Sequence, residues 1–404
     1  VIRDDSDAPL PPAPDPWAGS EMPERRDGPP YHMTEMIEAE PGLAVRILER
    51  LADPTGPASK LAAAIHEAAE RNQPIVVTGC GTSEHAALAT ADIWRAALQT
   101  AGLPWQLGRA GTPIAVQAFE GALEERLGGF GGLVIGISHE GGTWATNRAL
   151  EQGKASGAKV GLITCSVRSP GARLADYVVT TDERDESWCH TVGYLSPILA
   201  ATAIAGLLTR QPARRTEARD LLAAGLTPAA ITATEAMAAA LANVDRLIVV
   251  GSGVDRPAAR ELVLKVEEGA HLPAAMRDLE TVLHGHLAGM DARTGLVLVL
   301  TDSAQAADRG SRAAGVLRAA ATIGIKAGAI LGAGYDATIA ADLTPAGRLI
   351  VPTAPGLPPT IASLLGSAVP LQLLTERLAR ARGIDPDPIR RDDPAYLAAA
   401  DAAG

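Results

Sequence analysis

One strand-turn-helix pattern is written twice along this chain. Ile75-Val76-Val77-Thr78-Gly79-Cys80-Gly81 and the helical run behind it are answered by Ile248-Val249-Val250-Gly251-Ser252-Gly253 and another helical run. Downstream, Gly132-Leu133-Val134-Ile135 is matched by Gly295-Leu296-Val297-Leu298, and the segment from Gly157 to Ile163 by that from Gly324 to Ile330. The offset of roughly 170 residues is domain-sized, too long for a solenoid repeat, and indicates an internal duplication. Within each half, short continuous apolar runs alternate with amphipathic segments, as parallel strands do when crossover helices bury both their faces. Two tandem doubly wound α/β domains are therefore expected, with ligands at the carboxyl ends of the strands where strand order reverses.

Composition sets the boundaries. Residues 1–30 are rich in Pro, Asp and Gly and lack apolar periodicity, which predicts a disordered or extended N-terminal arm. A first domain is expected over 31–228, a second over 229–380 and a tail over 381–404. The helical stretch from Thr216 to Asn243 reads as the connector, with Pro228 marking the break inside it. The 404 residues are 47% apolar and 21% charged, enough for two cores of ordinary size. A formal charge of -11 argues against nucleic acid and anionic membrane as partners, since both require a basic surface, and leaves small molecules. The longest apolar stretch, Leu195 to Leu208, is interrupted by Ser196-Pro197, and no signal-peptide core is present, so a cytoplasmic protein is expected. Cys80, Cys165 and Cys189 are too scattered for a disulfide framework or a zinc site and are expected to be reduced, buried thiols.

Two loops carry chemistry. An apolar strand from Leu133 to Ile137 feeds Ser138-His139-Glu140-Gly141-Gly142-Thr143, and a helix is expected from about Trp144 to Ser156. Such a turn aims backbone N–H groups and the helix dipole at an anion, yet here it holds the carboxylate of Glu140. The earlier turn, Gly79-Cys80-Gly81-Thr82-Ser83, is either a tight strand-to-helix turn with Thr82 or Ser83 as N-cap, or a ligand-binding turn. It lacks the third glycine of the dinucleotide fingerprint, and no GxxxxGK[ST] occurs. In the second half, Lys265 and Glu268 stand i, i+3 on one helix face, where an exposed ion pair would contribute roughly 0.2–0.5 kcal/mol. His284, in Leu283-His284-Gly285-His286, reads equally as a capping or surface histidine.

In their order these motifs resemble the sugar isomerase (SIS) family, in particular the paired SIS domains of the isomerase half of glucosamine-6-phosphate synthase. The similarity covers roughly residues 31 to 393. Tyr31 to Pro41 looks like the segment that follows the family's glutaminase domain, Gly79 to Ser83 like its GCGTS turn, Ser138 to Thr143 like its SxSGET loop, and Asp387 to Arg390 like part of its tail. Lys265, Glu268 and His284-Gly285 keep the spacing of the family's catalytic residues. The resemblance implies two flavodoxin-like three-layer SIS domains and a site at which Glu268 shuttles a proton through an enediol or enolamine. It gives ring opening to His284, supplied across a homodimer interface, and lets Lys265 hold Glu268 ionised or polarise the open chain. Gly81, Thr82, Ser83, Ser138, His139, Glu140, Gly141 and Thr143 are the implied binders of a sugar or sugar phosphate, with His190 either a substrate contact or a core histidine. Neither metal nor organic cofactor is implied.

Departures from the family matter equally. The chain begins with Val1 and an irregular arm where the family's synthase has its glutaminase, so glutamine hydrolysis within this chain is not expected. The family's lysine near the C-terminus falls at about Pro394, with Arg390 or Arg391 nearby, and arginine forms no imine. A further family lysine is replaced around Cys189-His190-Thr191-Val192. Glu140 replaces a phosphate-binding serine, and a carboxylate about 4 Å from a phosphate charge costs roughly 4 kcal/mol per charge pair at an effective dielectric near 20. The expected function is a sugar isomerase or amino-sugar deaminase. The alternatives are a carbohydrate-binding regulatory protein and an isomerase subunit that partners a separate glutaminase.

Overall fold

A computed structural model describes residues 8–103 and 108–403. The first sheet comprises β1 (Ile75–Gly79), β2 (Ile114–Gln117), β3 (Leu133–Ile137), β4 (Lys159–Thr164) and β5 (Tyr177–Thr180). The second comprises β6 (Arg246–Gly251), β7 (Ala274–Asp278), β8 (Thr294–Leu300), β9 (Lys326–Gly332) and β10 (Gly347–Val351). Helices α1 (His32–Arg50), α2 (Pro57–Glu70), α3 (Thr82–Thr100), α4 (Ala118–Leu123), α5 (Trp144–Ala155), α6 (Pro170–Leu174) and α7 (Val192–Thr209) belong to the first half. After α8 (Arg215–Ala224) come α9 (Pro228–Leu241), α10 (Arg256–Ala270), α11 (Ala306–Ile323), α12 (Pro359–Ala381) and α13 (Pro394–Ala403).

All pairings are parallel, and the orders β2-β1-β3-β4-β5 and β7-β6-β8-β9-β10 are the same sequence of moves. The duplication read in the sequence thus extends to topology. In each sheet the order reverses beside the first strand, so the switch points fall between β1 and β3 and between β6 and β8. The loops after β1 and β3 are Gly79–Ser83 and Ser138–Thr143, which places both motifs at the first switch point.

One apolar cluster runs through α1, α3 and α7 into α10 and α12 and touches the inner faces of both sheets, so the two halves share a core. Each outer face has a smaller cluster of its own. Helix α7 has the length and apolarity to cross a membrane (18 residues, mean hydropathy 1.6), but 83% of it is buried inside the protein, as in a core helix. Pro197, expected to interrupt this stretch, lies within the helix near its start, where it removes one early N–H donor from the ladder. Pro228 opens α9 directly behind the N-cap Thr227, whose hydroxyl accepts from Ala230 N (3.3 Å).

Candidate functional site

Strands β1 and β3 are buried along their whole length, and their loops open into one cavity of about 500 Å³. Gly79 turns the chain tightly: a Cβ there would stand 2.4 Å from Ser83 O. Gly81, at φ +58, is the N-cap of α3, a place the sequence reading gave to Thr82 or Ser83. A glycine fits because this left-handed backbone strains residues with a Cβ. Gly81, Thr82 and Ser83 line one wall, and Ser138, His139, Glu140 and Thr143 line another. Gly141 shapes the second loop from behind. At φ +75 its N–H donates to Ser138 Oγ (3.1 Å), and an added Cβ would meet Ser169 Oγ at 2.1 Å.

Glu268 enters the cavity from α10 in the second half. Lys265 lies behind it, wholly buried, with Nζ 2.6 Å from Glu268 Oε2 and 3.7 Å from Glu261 Oε1. This is not the exposed pair that the i, i+3 spacing alone suggested. Burial works against the Lys265 charge, but Glu268 and Glu261 outweigh it and hold the amine above its ordinary pKa. On Glu268 the balance is reversed: burial exceeds the effect of Lys265, and the carboxyl lies above its ordinary range. Lys265 therefore counters the desolvation of Glu268 without cancelling it.

Glu261 completes the buried group and links the halves. Its Oε2 is 2.7 Å from His85 Nδ1 on α3, and its Oε1 accepts from Thr82 Oγ1 (3.2 Å). Burial opposes its charge, but Lys265, His85 and Thr82 prevail and keep this carboxyl below its ordinary pKa. Sequence reasoning missed both Glu261 and His85. The i, i+4 spacing from Glu261 to Lys265 was a usable signal.

His139 and His190 face each other in the cavity wall, ring centroids 5.6 Å apart. His139 Nε2 accepts the backbone N–H of Asp185 (2.9 Å), so the neutral ring carries its proton on Nδ1. That buried Nδ1 has no hydrogen-bond partner among the described residues. Burial, reinforced by His190, depresses the pKa of His139 to about 4. Burial and then Lys265 take His190 to about 3. Both are neutral imidazoles at physiological pH. Asp185 accepts from Ser187, Thr191 and Gly193 N–H and fixes the turn that carries His190.

The N-terminal arm supplies a third wall. Residues 8–30 form no helix or strand, yet Trp17, Gly19 and Ser20 line the cavity. Trp17 Nε1 donates to Glu140 O (2.9 Å) and Ser20 N to Glu140 Oε2 (3.2 Å). Arg184 Nη2 stands 3.6 Å from Glu140 Oε1, and its Nε donates to Ser20 Oγ (3.2 Å). Burial raises the Glu140 pKa despite Ser20 N–H and Arg184. From the tail come Ile389 and Arg391, the latter over the Trp188 ring at 5.6 Å, whereas Arg390 stacks on Tyr396 outside the cavity. Neither the arm nor Arg184 was expected at the site.

His284 is not brought into this cavity. It lies beyond β7, 68% exposed, with Nε2 2.7 Å from Glu280 Oε1. Among the described residues, His32, Glu35 and Glu186 cluster as metal ligands would, but Arg26 already spans His32 Nδ1 (3.2 Å) and Glu35 Oε2 (2.8 Å). Cys165 and Cys189 are buried thiols and Cys80 is only half-buried, on the cavity wall.

Comparison with known proteins bears on the fold. The SIS domain family matches residues 131–209. Glutamine-fructose-6-phosphate aminotransferase (isomerizing) of Symbiobacterium thermophilum is 30% identical over 228 residues, which cover 53% of this chain and 35% of that protein. The corresponding protein of Zymomonas mobilis is 25% identical, with 37% of its length covered, so the chain spans about a third of these relatives. Among solved structures, the C-terminal domain of the glucosamine-fructose-6-phosphate aminotransferase of Francisella tularensis superposes with a TM-score of 0.74 at 20% identity, covering 90% of this chain and 99% of that one. Tagatose-6-phosphate ketose/aldose isomerase of Escherichia coli gives 0.68 at 18% identity, covering 92% and 98%. The chain therefore consists of two tandem α/β units with the fold of these isomerase structures, and residues 131–209 of the first match the SIS domain family.

Proposed function

We propose that this protein is a sugar isomerase or amino-sugar deaminase in which Glu268 moves a proton between neighbouring carbons of an open-chain sugar. The observation that carries this reading is the position of Glu268: of the six charged residues of α10, it alone lines the cavity, backed by the buried Lys265. Burial lifts its pKa above the ordinary carboxylate range, which makes the carboxylate a stronger base for taking the proton from carbon before the same group delivers it to the neighbouring carbon. The enediolate formed in between carries negative charge on oxygen and needs a hydrogen-bond donor in the same cavity. His284 acts from the partner of a homodimer, in keeping with its exposure and its distance from this chain's own cavity.

Incubation with a panel of aldoses, ketoses and amino sugars, each with and without phosphate, in deuterated water tests the proposal. Deuterium is expected at the carbon next to the carbonyl, with loss of that exchange in Glu268→Gln. Complete lack of exchange by the folded protein would sink it. A second reading, a binding protein without turnover, is supported by the occupation of the expected phosphate loop by Glu140 and the arm. It requires ligand binding that Glu268→Gln leaves intact and no exchange with any sugar.

A further inference from the structure

Glu140 is not a stray charge in a phosphate loop. Its carboxylate takes Ser20 N–H and faces Arg184, and its carbonyl takes the Trp17 indole N–H. The arm is further tied down by Arg184 N donating to Pro11 O (2.9 Å), Leu10 N donating to Glu183 Oε2 (3.3 Å) and an ion pair between Asp15 and Arg168. These anchors place the Trp17 ring over Gly142, where an added Cβ would stand 2.9 Å from Cζ2.

The donors that a phosphate needs at this loop are already engaged. Gly141 N–H goes to Ser138 Oγ, and Ser138 Oγ donates to Thr143 Oγ1 (3.3 Å). Arg184, which faces this loop, is shared between Glu140 and Ser20, and Arg391 on the opposite side of the cavity lies over the Trp188 ring. An arriving dianion would meet a carboxylate and an indole, without a free cation among the described residues of the loop. For an uncharged, hydroxylated ligand the same wall is favourable. Two of the five tryptophans, Trp17 and Trp188, line the cavity and offer flat apolar faces for sugar C–H groups.

We infer that Glu140 and Trp17 are specificity-determining residues that bar phosphate from the loop at 138–143, so that the sugar derivative bound here presents an uncharged, hydroxylated end to it. This deepens the sugar-site reading and rests on it for the identity of the ligand. The exclusion of phosphate is tested independently of turnover.

Calorimetric titration with inorganic phosphate, and with fructose against fructose 6-phosphate, is carried out on the wild-type chain, on Glu140→Ser/Trp17→Ala and on that double variant carrying Ser138→Ala. Circular dichroism confirms folding, and Glu140→Gln serves as a milder second variant. Wild type is expected to bind inorganic phosphate at least about a hundredfold more weakly than the double variant, and Ser138→Ala to remove the gain. Wild-type binding of phosphate that Ser138→Ala in the wild-type background abolishes overturns the inference. So does the absence of any gain in both the folded double variant and Glu140→Gln. If neither fructose nor fructose 6-phosphate binds and no sugar exchanges deuterium, the sugar reading fails while the phosphate titration still decides the role of Glu140 and Trp17.

Discussion

Lys265 Nζ lies 2.6 Å from Glu268 Oε2, the amine wholly buried and the carboxylate 24% exposed. One end of the pair is therefore fixed in the core while the other meets the cavity. Lys265 also serves Glu261, which is fully buried, so its removal leaves two carboxylates facing each other without their shared cation. Lys265→Met is expected to lower unfolding free energy by about 3–5 kcal/mol, as for other broken buried pairs. Glu268→Gln, at the open end, is expected to cost less than about 2 kcal/mol. Urea denaturation of the two variants measures this difference. Equal losses would mean that Lys265 is not the structural centre of the group.

What the sequence revealed of this site follows from where its signals lie. The six central strands β1, β3, β4, β6, β8 and β9 are continuous apolar runs because both faces are covered, and they are legible for that reason. β2, β5, β7 and β10 sit toward the sheet edges, are only partly buried and show no such run. Lys265 and Glu268 share a helix, so spacing alone pairs them. The contacts of Ser20 and Trp17 with Glu140 span more than a hundred residues and use a backbone N–H and an indole, for which no periodic signal exists. The lack of apolar periodicity predicts a disordered or extended arm and carries no sign of its place on the cavity wall.

Buried His139 and half-buried His190 give a pH dependence. Both hold their pKa below the ordinary value of 6.5, at about 4 for His139 and about 3 for His190, so the unfolded chain binds more protons below pH 6.5. Their stabilising contribution is fully present above pH 6.5 and is lost as pH falls toward those values. His190→Asn removes one of the two protons from the balance. The slope of unfolding free energy between pH 6 and 4 should then decrease by up to about 1.4 kcal/mol per pH unit. Urea midpoints collected across this range test it, and an unchanged slope would mean that His190 is solvated in the folded protein.

Glu40 is a buried acid on α1 whose nearest polar partner is Gln372, and burial outweighs that contact and lifts its pKa well above the ordinary range. A raised carboxyl contributes most stability below its unfolded pKa and loses it as pH rises through the folded value. At pH 8 the residue is therefore a cost. Glu40→Met, similar in volume, should stabilise the protein by about 1–3 kcal/mol at pH 8 and by less at pH 5. Thermal melts at the two pH values check both the sign and its pH dependence.

The separation of His284 from Glu268 within one chain leads to a test of the shared site. If each cavity takes Glu268 from one subunit and His284 from the other, Glu268→Gln and His284→Ala chains are each inactive alone. In a mixed dimer, however, one of the two sites recovers both native residues. Unfolding and refolding an equimolar mixture makes half of the dimers mixed, so exchange activity should return to about a quarter of wild type. The His284 side chain is exposed and, among the described residues, meets Glu280, so His284→Ala should leave the melting temperature nearly unchanged and the loss is read as chemistry. A mixture as inactive as its parents would instead confine His284 to its surface pair with Glu280 and leave ring opening to a residue of the cavity itself, with the neutral His139 and His190 the first to substitute.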